Sequence, residues 1–597
     1  MKQTNHAIAA LLTASLLIGI SGCFDLNRSP KDALSSSNNP LSSNAEMQKY
    51  VNQFYESAFE THPYYVDGGI AFGDNKSDNM VPKTPNQRLD GRLRVSDAAP
   101  LLYEYSQIRN TNFMILNADN NKSEGAEKNQ YLGEAYFFRA KYYFDLVKNY
   151  GDVAWVESIL SMAQANVERS PRTVVVDHIL ADLTKASELL GRVSDNSSMR
   201  VHRDVALALK SRVALYEGTW QKYHKAKGDP FFTQGIDDAK ITSYLTIAKE
   251  AAEEVIRTGT WSIFSKGETP YRDMFVDLDL TDNKEVLMWK RYDASVGIGH
   301  SVTRYINEGG GESGVSLSLV SDYLSREGKV LSKEELTDLR KTYGQELDPT
   351  IRDPRLSQTI CHPGAQIQPT PKYFSFPPLH ESTYHQNTTG YSLLKYNEYN
   401  TEYIPSLTGE GKSQAPAIQF RYAEVLLNYA EALAEIDGSR YASEISKSLY
   451  PLRERVGMPA IDFDREFNDD PSYPFANLDK YIQAVRRERR VELACENFRF
   501  DDICRWAAAD ELIVGQRPRG ALFVGSNLED ENTPEGYYKG KLEVGKTLFT
   551  DAEGYIDYYQ KQMPEGYAFN VKRDYLLPLQ DRMISLTGGK WSQNPGW

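Results

Sequence analysis

The sequence predicts a mostly helical protein whose frame carries long irregular loops, and three observations point to it. Apolar residues recur at three- and four-residue intervals in six segments ahead of residue 260. From about 260 to 414 that spacing gives way to Gly, Pro, Asn and aromatic residues with short strand-like runs. Helical spacing then returns in three segments between 417 and 506, before a second loop-rich stretch runs to the end.

In order, the first half predicts helices at Met47–Phe59, Leu101–Leu116, Lys128–Tyr150, Val174–Leu190, Arg203–Tyr223 and Tyr244–Arg257. The third carries Leu132, Ala135, Tyr136, Arg139, Ala140, Tyr143, Phe144 and Val147 on one stripe. It stops at Asn149-Tyr150-Gly151-Asp152, where glycine permits a left-handed turn. Leu132-Gly133-x-x-Tyr136 and Ala140-x-x-x-Phe144 echo pieces of the tetratricopeptide signature, although no period of ~34 residues recurs. Glu285–Trp289 reads as a strand, Gly311-Glu312-Ser313-Gly314 as a flexible loop, and Pro369–Asn387 as a long irregular stretch. Arg352-Asp353-Pro354-Arg355 suits a turn fixed by Asp-to-backbone bonding. Helices follow at Ala417–Ile436, Ala442–Val456 and Asp479–Trp506; in the last, Arg489 and Glu492 stand three apart as a structural ion pair.

The N-terminus has a different logic. Lys2 and His6 precede an apolar run, Ala7–Ile20, that is short for a membrane span and ends in small residues, as a secretion signal does. Ile20-Ser21-Gly22-Cys23 looks like a bacterial lipobox, so residues 1–22 are the expected signal peptide and Cys23 the expected acylated residue. Ser, Asn and Pro dominate 23–43, which reads as a flexible tether. A helical region at 44–259 and a loop-bearing region at 260–597 complete the expected division. Cys361, Cys495 and Cys504 are odd in number and lack metal or redox spacing, so no disulfide framework is implied.

Composition and motifs remove most chemistries. The chain has 68 Lys and Arg against 82 Asp and Glu, and no long basic run, which argues against nucleic-acid binding. His380 and His385 are five apart beside Pro377-Pro378, not the four a zinc-protease helix requires. Asp277, Asp279 and Asp282 alternate as in a calcium loop but lack its glycine and closing Glu. None of these tests singles out a catalytic residue or a metal site. The 38 Tyr residues are numerous for this length; a tyrosine offers an apolar ring with a polar tip, useful in packing and on wet binding surfaces.

Several segments, ordered along nearly the whole chain after the leader, together resemble the SusD/RagB family of nutrient-binding outer-membrane lipoproteins of Bacteroidetes. They are the lipobox at Cys23, the run Leu132–Asp145 with Tyr150-Gly-Asp-Val153, Arg352–Arg355, Arg421–Glu431, Arg487–Leu493 leading into Phe498–Trp506, and the closing Gln593-Asn-Pro-Gly-Trp597. The resemblance implies four tetratricopeptide-like helix pairs supporting a loop-rich half. It also implies a surface lipoprotein seated as a lid on a SusC-like TonB-dependent barrel, capturing a glycan, or in some members a peptide, without catalysis or cofactor. A protein-interaction scaffold and a surface hydrolase are the alternatives from other classes. The family's binding loops do not align by motif, so candidate ligand contacts rest on local composition. These are Tyr64, Tyr65, Asp67, Asp74, Asp78 and Asn79 after the first helix, and Arg291, Tyr292, His300 and Tyr305 in the middle loops.

Overall fold

The computed structural model describes residues 39–64, 68–161, 164, 166–195, 197–368, 372–399 and 409–597. The leader, Cys23 and the tether up to residue 38 lie outside the described residues, as do Tyr65 and Asp67. Among the described residues no helix is long and apolar enough to cross a membrane.

The first half builds α1 (Asn44–Ala58), α2 (Leu102–Asn117), α3 (Ala126–Tyr150), α4 (Arg172–Leu189), α5 (Arg203–Lys227) and α6 (Asp238–Ile256). A reciprocal cap starts α1: the Ser43 hydroxyl accepts from the Glu46 N–H at 3.3 Å, and the Glu46 carboxylate accepts from the Ser42 N–H at 2.7 Å. Leu41 is fully buried, so packing begins just ahead of that helix. α3 ends where Gly151 adopts φ 69° and its N–H closes on the Val147 carbonyl. Phe137, Phe138 and Tyr142 are buried as well as most of the expected stripe, of which Leu132 and Tyr136 are partly buried, because α1, α2 and α4 all pack on α3.

The loop-rich part contains α7 (Pro270–Asp273), α8 (Val302–Ile306), α9 (Leu317–Asp322), α10 (Lys333–Arg340) and α11 (Pro354–Thr359). Its strands are β1 (Met80–Pro82), β2 (Val286–Lys290), β3 (Ser313–Val315), β4 (Gln366–Gln368), β5 (Lys372–Tyr373) and β6 (Ala417–Arg421). They form three antiparallel two-stranded ribbons, β1–β3, β2–β6 and β4–β5. Ser313-Gly314, expected to be a flexible loop, is strand instead. Its pairing with β1 and the close approach of Thr389, whose Oγ1 would lie 2.1 Å from a Cβ at Gly314, fix it. As expected, the Asp353 carboxylate caps α11 by accepting from the Arg355 N–H at 3.0 Å.

Helices return as α12 (Tyr422–Asp437), α13 (Ala442–Glu454), α14 (Lys480–Glu492) and α15 (Arg499–Arg505). Packing runs neighbour to neighbour from α2 through α6, then from α6 to α12 and on to α13 and α14. The frame is thus a tetratricopeptide-like stack that the loop-rich insertion interrupts in sequence but not in space. Two apolar cores result, one among the helices and one under the loops. The β2–β6 ribbon divides them, with Leu287, Met288 and Phe420 in the first and Val286, Trp289 and Ala417 in the second.

The expected helix 479–506 is broken at 493–498, where Cys495 and Asn497 take φ of 60° and 68°. The carbonyls this frees are claimed from outside. Tyr271 and Arg421 donate to Glu492 O at 2.6 and 2.7 Å, Lys395 to Ala494 O at 2.9 Å, and Tyr396 to Cys495 O at 2.9 Å. Arg489 and Glu492 are both structural, but they do not pair with each other. Arg489 meets Asp502 at 2.9 Å, while Glu492 sits among Arg355, Arg421 and Arg455 at 3.0, 2.7 and 2.6 Å. The three cysteines are buried and free.

Candidate functional site

The loop-rich part gathers side chains from four separate segments. The Ser301 N–H donates to Pro63 O at 3.3 Å, and the Ser301 hydroxyl accepts from the Gly411 N–H at 2.9 Å, so residues 63–64, the start of α8 and 410–411 converge. The fourth segment arrives when the Gly311 N–H donates to Tyr384 O at 2.7 Å. Gly310 has to be glycine here, since a Cβ would lie 2.3 Å from the His385 carbonyl oxygen.

The result is an aromatic and charged cluster. Tyr384 stands edge-on to Tyr305, ring centroids 5.3 Å apart, and leans on the His385 ring at 4.1 Å. Arg304 lies over the Tyr384 ring at 5.3 Å and donates to its hydroxyl at 3.1 Å, while Arg304 Nε is buried without a hydrogen-bond partner. The Tyr305 hydroxyl reaches Glu410 at 3.4 Å, and Glu308 pairs with Lys372 at 2.8 Å. Tyr64 lies against Gly411, whose Cβ would be 2.8 Å from its ring, and is 48% exposed. Burial raises the Tyr305 hydroxyl to about 12, with Glu410 adding to the effect, so it stays protonated.

Of the residues singled out from sequence, Tyr64 and Tyr305 belong to this cluster, Tyr305 as a 4% exposed support beneath Tyr384. Tyr292 and His300 are buried in a ring cluster with His62: ring centroids are 4.6 Å apart for the edge-to-face pair Tyr292–His300 and 4.7 Å for His62–His300. Burial pushes His62 down to about 4 against the pull of its bond to Pro416 O, so the ring cluster is neutral packing. Arg291 is exposed. Asp74, Asp78 and Asn79 are not placed to reach a ligand. Asp78 is held by Arg490 at 2.8 Å and Arg499 at 2.7 Å, and Asn79 joins Arg490 at 2.9 Å to Asp74 at 2.8 Å. Their partners lie some four hundred residues away in sequence, which no local pattern reveals. Composition does not single out Tyr384, Arg304, His385 or Glu410; the sequence signal nearest to them is the loop His380–His385, whose spacing departs from a zinc-protease helix.

The cluster has no nucleophile–base pair, and among the described residues no group of three or more His, Cys, Asp or Glu is arranged to hold a metal ion. Rings, a guanidinium and carboxylates thus meet on one loop surface carried by a helical-repeat frame. The chain belongs to the SusD family, which it matches over residues 279–597, while residues 27–215 match the family described as "Starch-binding associating with outer membrane". It is similar to SusD-like protein P2 of Formosa agariphila, 24% identical over 98% of both chains, and to SusD-like protein P38 of the same organism, 23% identical over 64% of this chain and 68% of that one. Among solved structures it shares its fold with a SusD-like carbohydrate binding protein of Bacteroides fragilis, with TM-score 0.66 at 22% identity over 92% of this chain and 98% of that one. A laminarin binding SusD-like protein gives TM-score 0.55 at 19% identity over 93% and 100% of the two chains.

Proposed function

We propose that this chain is a surface-displayed, non-enzymatic lipoprotein, anchored through Cys23, that captures an oligo- or polysaccharide and passes it to a SusC-like TonB-dependent transporter. The observation that carries the reading is the convergence of Tyr64, Tyr384, Arg304, Glu308, His385 and Glu410 on one loop surface. Sugar rings present apolar C–H faces that stack on tyrosine and hydroxyls that bond guanidinium and carboxylate, so this mixture matches a glycan. Membership in the SusD family and the carbohydrate-binding relatives of the same fold support it.

The test is a thermal-shift and affinity-gel screen of the chain lacking residues 1–23 against polysaccharides, oligosaccharides and peptide mixtures. One glycan class should bind without release of reducing ends. Tyr64→Ala and Tyr384→Ala should each weaken binding roughly 2- to 10-fold, the scale of one aromatic contact at about 0.5–1.5 kcal/mol. Unchanged affinity in both variants would remove this surface as the site, and a response to peptides alone would replace the ligand class.

A further inference from the structure

β5 sends Lys372 to Glu308 of the tyrosine cluster, but its neighbour Tyr373 lines a separate cleft of about 1040 Å³. The cleft is walled by residues 265–273, 349–366, Tyr399 and Arg455-Val456, and its floor contains Arg272.

Arg272 is only 5% exposed, yet no carboxylate lies within ion-pair distance of it among the described residues. Other deeply buried arginines, such as Arg172, Arg355, Arg421 and Arg453, each meet a carboxylate at 2.6–2.8 Å. Arg352 also lacks one, but its guanidinium is consumed by four backbone carbonyls. In Arg272 only Nη2 is engaged, by the carbonyls of Gln366 at 3.0 Å and Asn397 at 3.2 Å, and Nε is buried without a partner. The nearest acid, Asp273, is already taken by the Tyr399 hydroxyl at 2.6 Å and the Thr269 hydroxyl at 2.8 Å. The Tyr399 ring supports the guanidinium from one side at 4.0 Å. Arg326 lines the same cleft, donates to Val456 O at 2.7 Å and has no carboxylate partner either. Burying a guanidinium without a counter-ion is costly, and a ligand oxyanion removes that cost. Burial alone already pulls Arg272 down to about 10.

We propose that this cleft is a second binding site, for a sugar residue bearing a carboxylate or a sulfate ester, with the oxyanion held by Arg272 and Arg326 and the ring laid on Tyr373. Tyr373 is 57% exposed and supplies an open apolar face, while His362 and Thr350 on the same wall offer partners for sugar hydroxyls.

Isothermal titration of the chain lacking residues 1–23 tests this with three probes: an oligogalacturonate, a sulfated galactan oligosaccharide and a neutral laminari-oligosaccharide. At least one anionic probe should bind, and its affinity should fall about tenfold or more as salt is raised from about 0.02 to about 0.3 M. Which of the two binds identifies the oxyanion as carboxylate or sulfate. Arg272→Met and Arg326→Gln should each cost at least about tenfold. Arg326 is only partly buried, so its variant keeps the test valid should Arg272→Met misfold by circular dichroism. Failure of both anionic probes, or equal affinity in Arg326→Gln, would overturn the proposal. Binding of the neutral probe alone would do so while leaving the glycan-capture reading intact.

Discussion

Replacing Glu492 by Gln probes the centre of the buried ion network. Both carboxylate oxygens are consumed: Arg455 Nη2 donates to them at 2.6 and 2.7 Å, Arg421 Nη1 at 2.7 Å and Arg355 Nη1 at 3.0 Å. Glutamine keeps the volume, so no cavity opens, but it removes the charge and turns an amide donor toward three guanidiniums. Breaking a buried pair by neutralising one partner costs about 3–5 kcal/mol. Here each arginine retains another carboxylate: Arg421 keeps Glu285 and Glu496, Arg455 keeps Glu285, and Arg355 keeps Asp353 and Glu488. The lower end, about 3 kcal/mol, is therefore expected. Urea unfolding followed in parallel by tryptophan fluorescence and far-UV circular dichroism measures it, with Lys341→Gln, one partner of an exposed pair with Asp338, as a control expected to stay within about 0.5 kcal/mol. A loss below about 1 kcal/mol for Glu492→Gln, the worth of a surface pair, would refute the claim that this network holds the fold.

Acid should act through the same kind of group. Burial raises Glu431, but the charge and hydrogen bonds of Arg505, with Arg489 and the Trp506 indole, outweigh it and hold the carboxyl down to about 2. A depressed carboxylate stabilises above its unfolded pKa of about 4.3 and loses that contribution as pH falls toward the folded value. Stability should then be level in this respect above about pH 5 and decline between about pH 4.3 and 2, read from urea midpoints; an unchanged midpoint at about pH 3 would contradict it. Gly310→Ala should displace the Tyr384–His385 segment, because the new methyl would sit 2.3 Å from the His385 carbonyl oxygen. Glycan affinity should fall with far-UV circular dichroism unchanged, and unaltered binding would take residues 384–385 out of the site.

The helices were legible because their apolar spacing is local. The six segments of the first half match observed helices, differing mainly at their ends, where caps decide. The break after Glu492 was not legible: Leu493 and Phe498 continue an acceptable helical pattern, and the reasons for stopping, Tyr271, Lys395, Tyr396 and Arg421, are distant in the chain. The site followed the same rule. Composition drew attention to Tyr64 and Tyr305 because loops rich in tyrosine stand out. It misread Asp74 and Asp78, because an acid in a loop looks identical whether it faces solvent or two arginines of another helix.

How a loop surface can vary its ligand without losing its frame follows from where the loops are fastened. Glu398 and residues 413–415, which follow Glu410-Gly411, are tied to one another and to His300. Glu398 accepts from the Gln414 and Ala415 N–H groups at 2.6 and 2.7 Å, and Ser413 exchanges two backbone bonds with His300 at 2.9 and 3.0 Å. The His300 Nε2–H in turn donates to Ala415 O at 2.9 Å, a short step from α8, which carries Arg304 and Tyr305. Glu410-Gly411 meets Tyr305 and Tyr64, but none of these fastening bonds uses the Glu410 side chain. If the proposed glycan site lies here, substitutions at Glu410, Tyr64 or Tyr384 change which sugar is held while the buried base keeps its fastenings. The cost of such changes falls on affinity and not on folding.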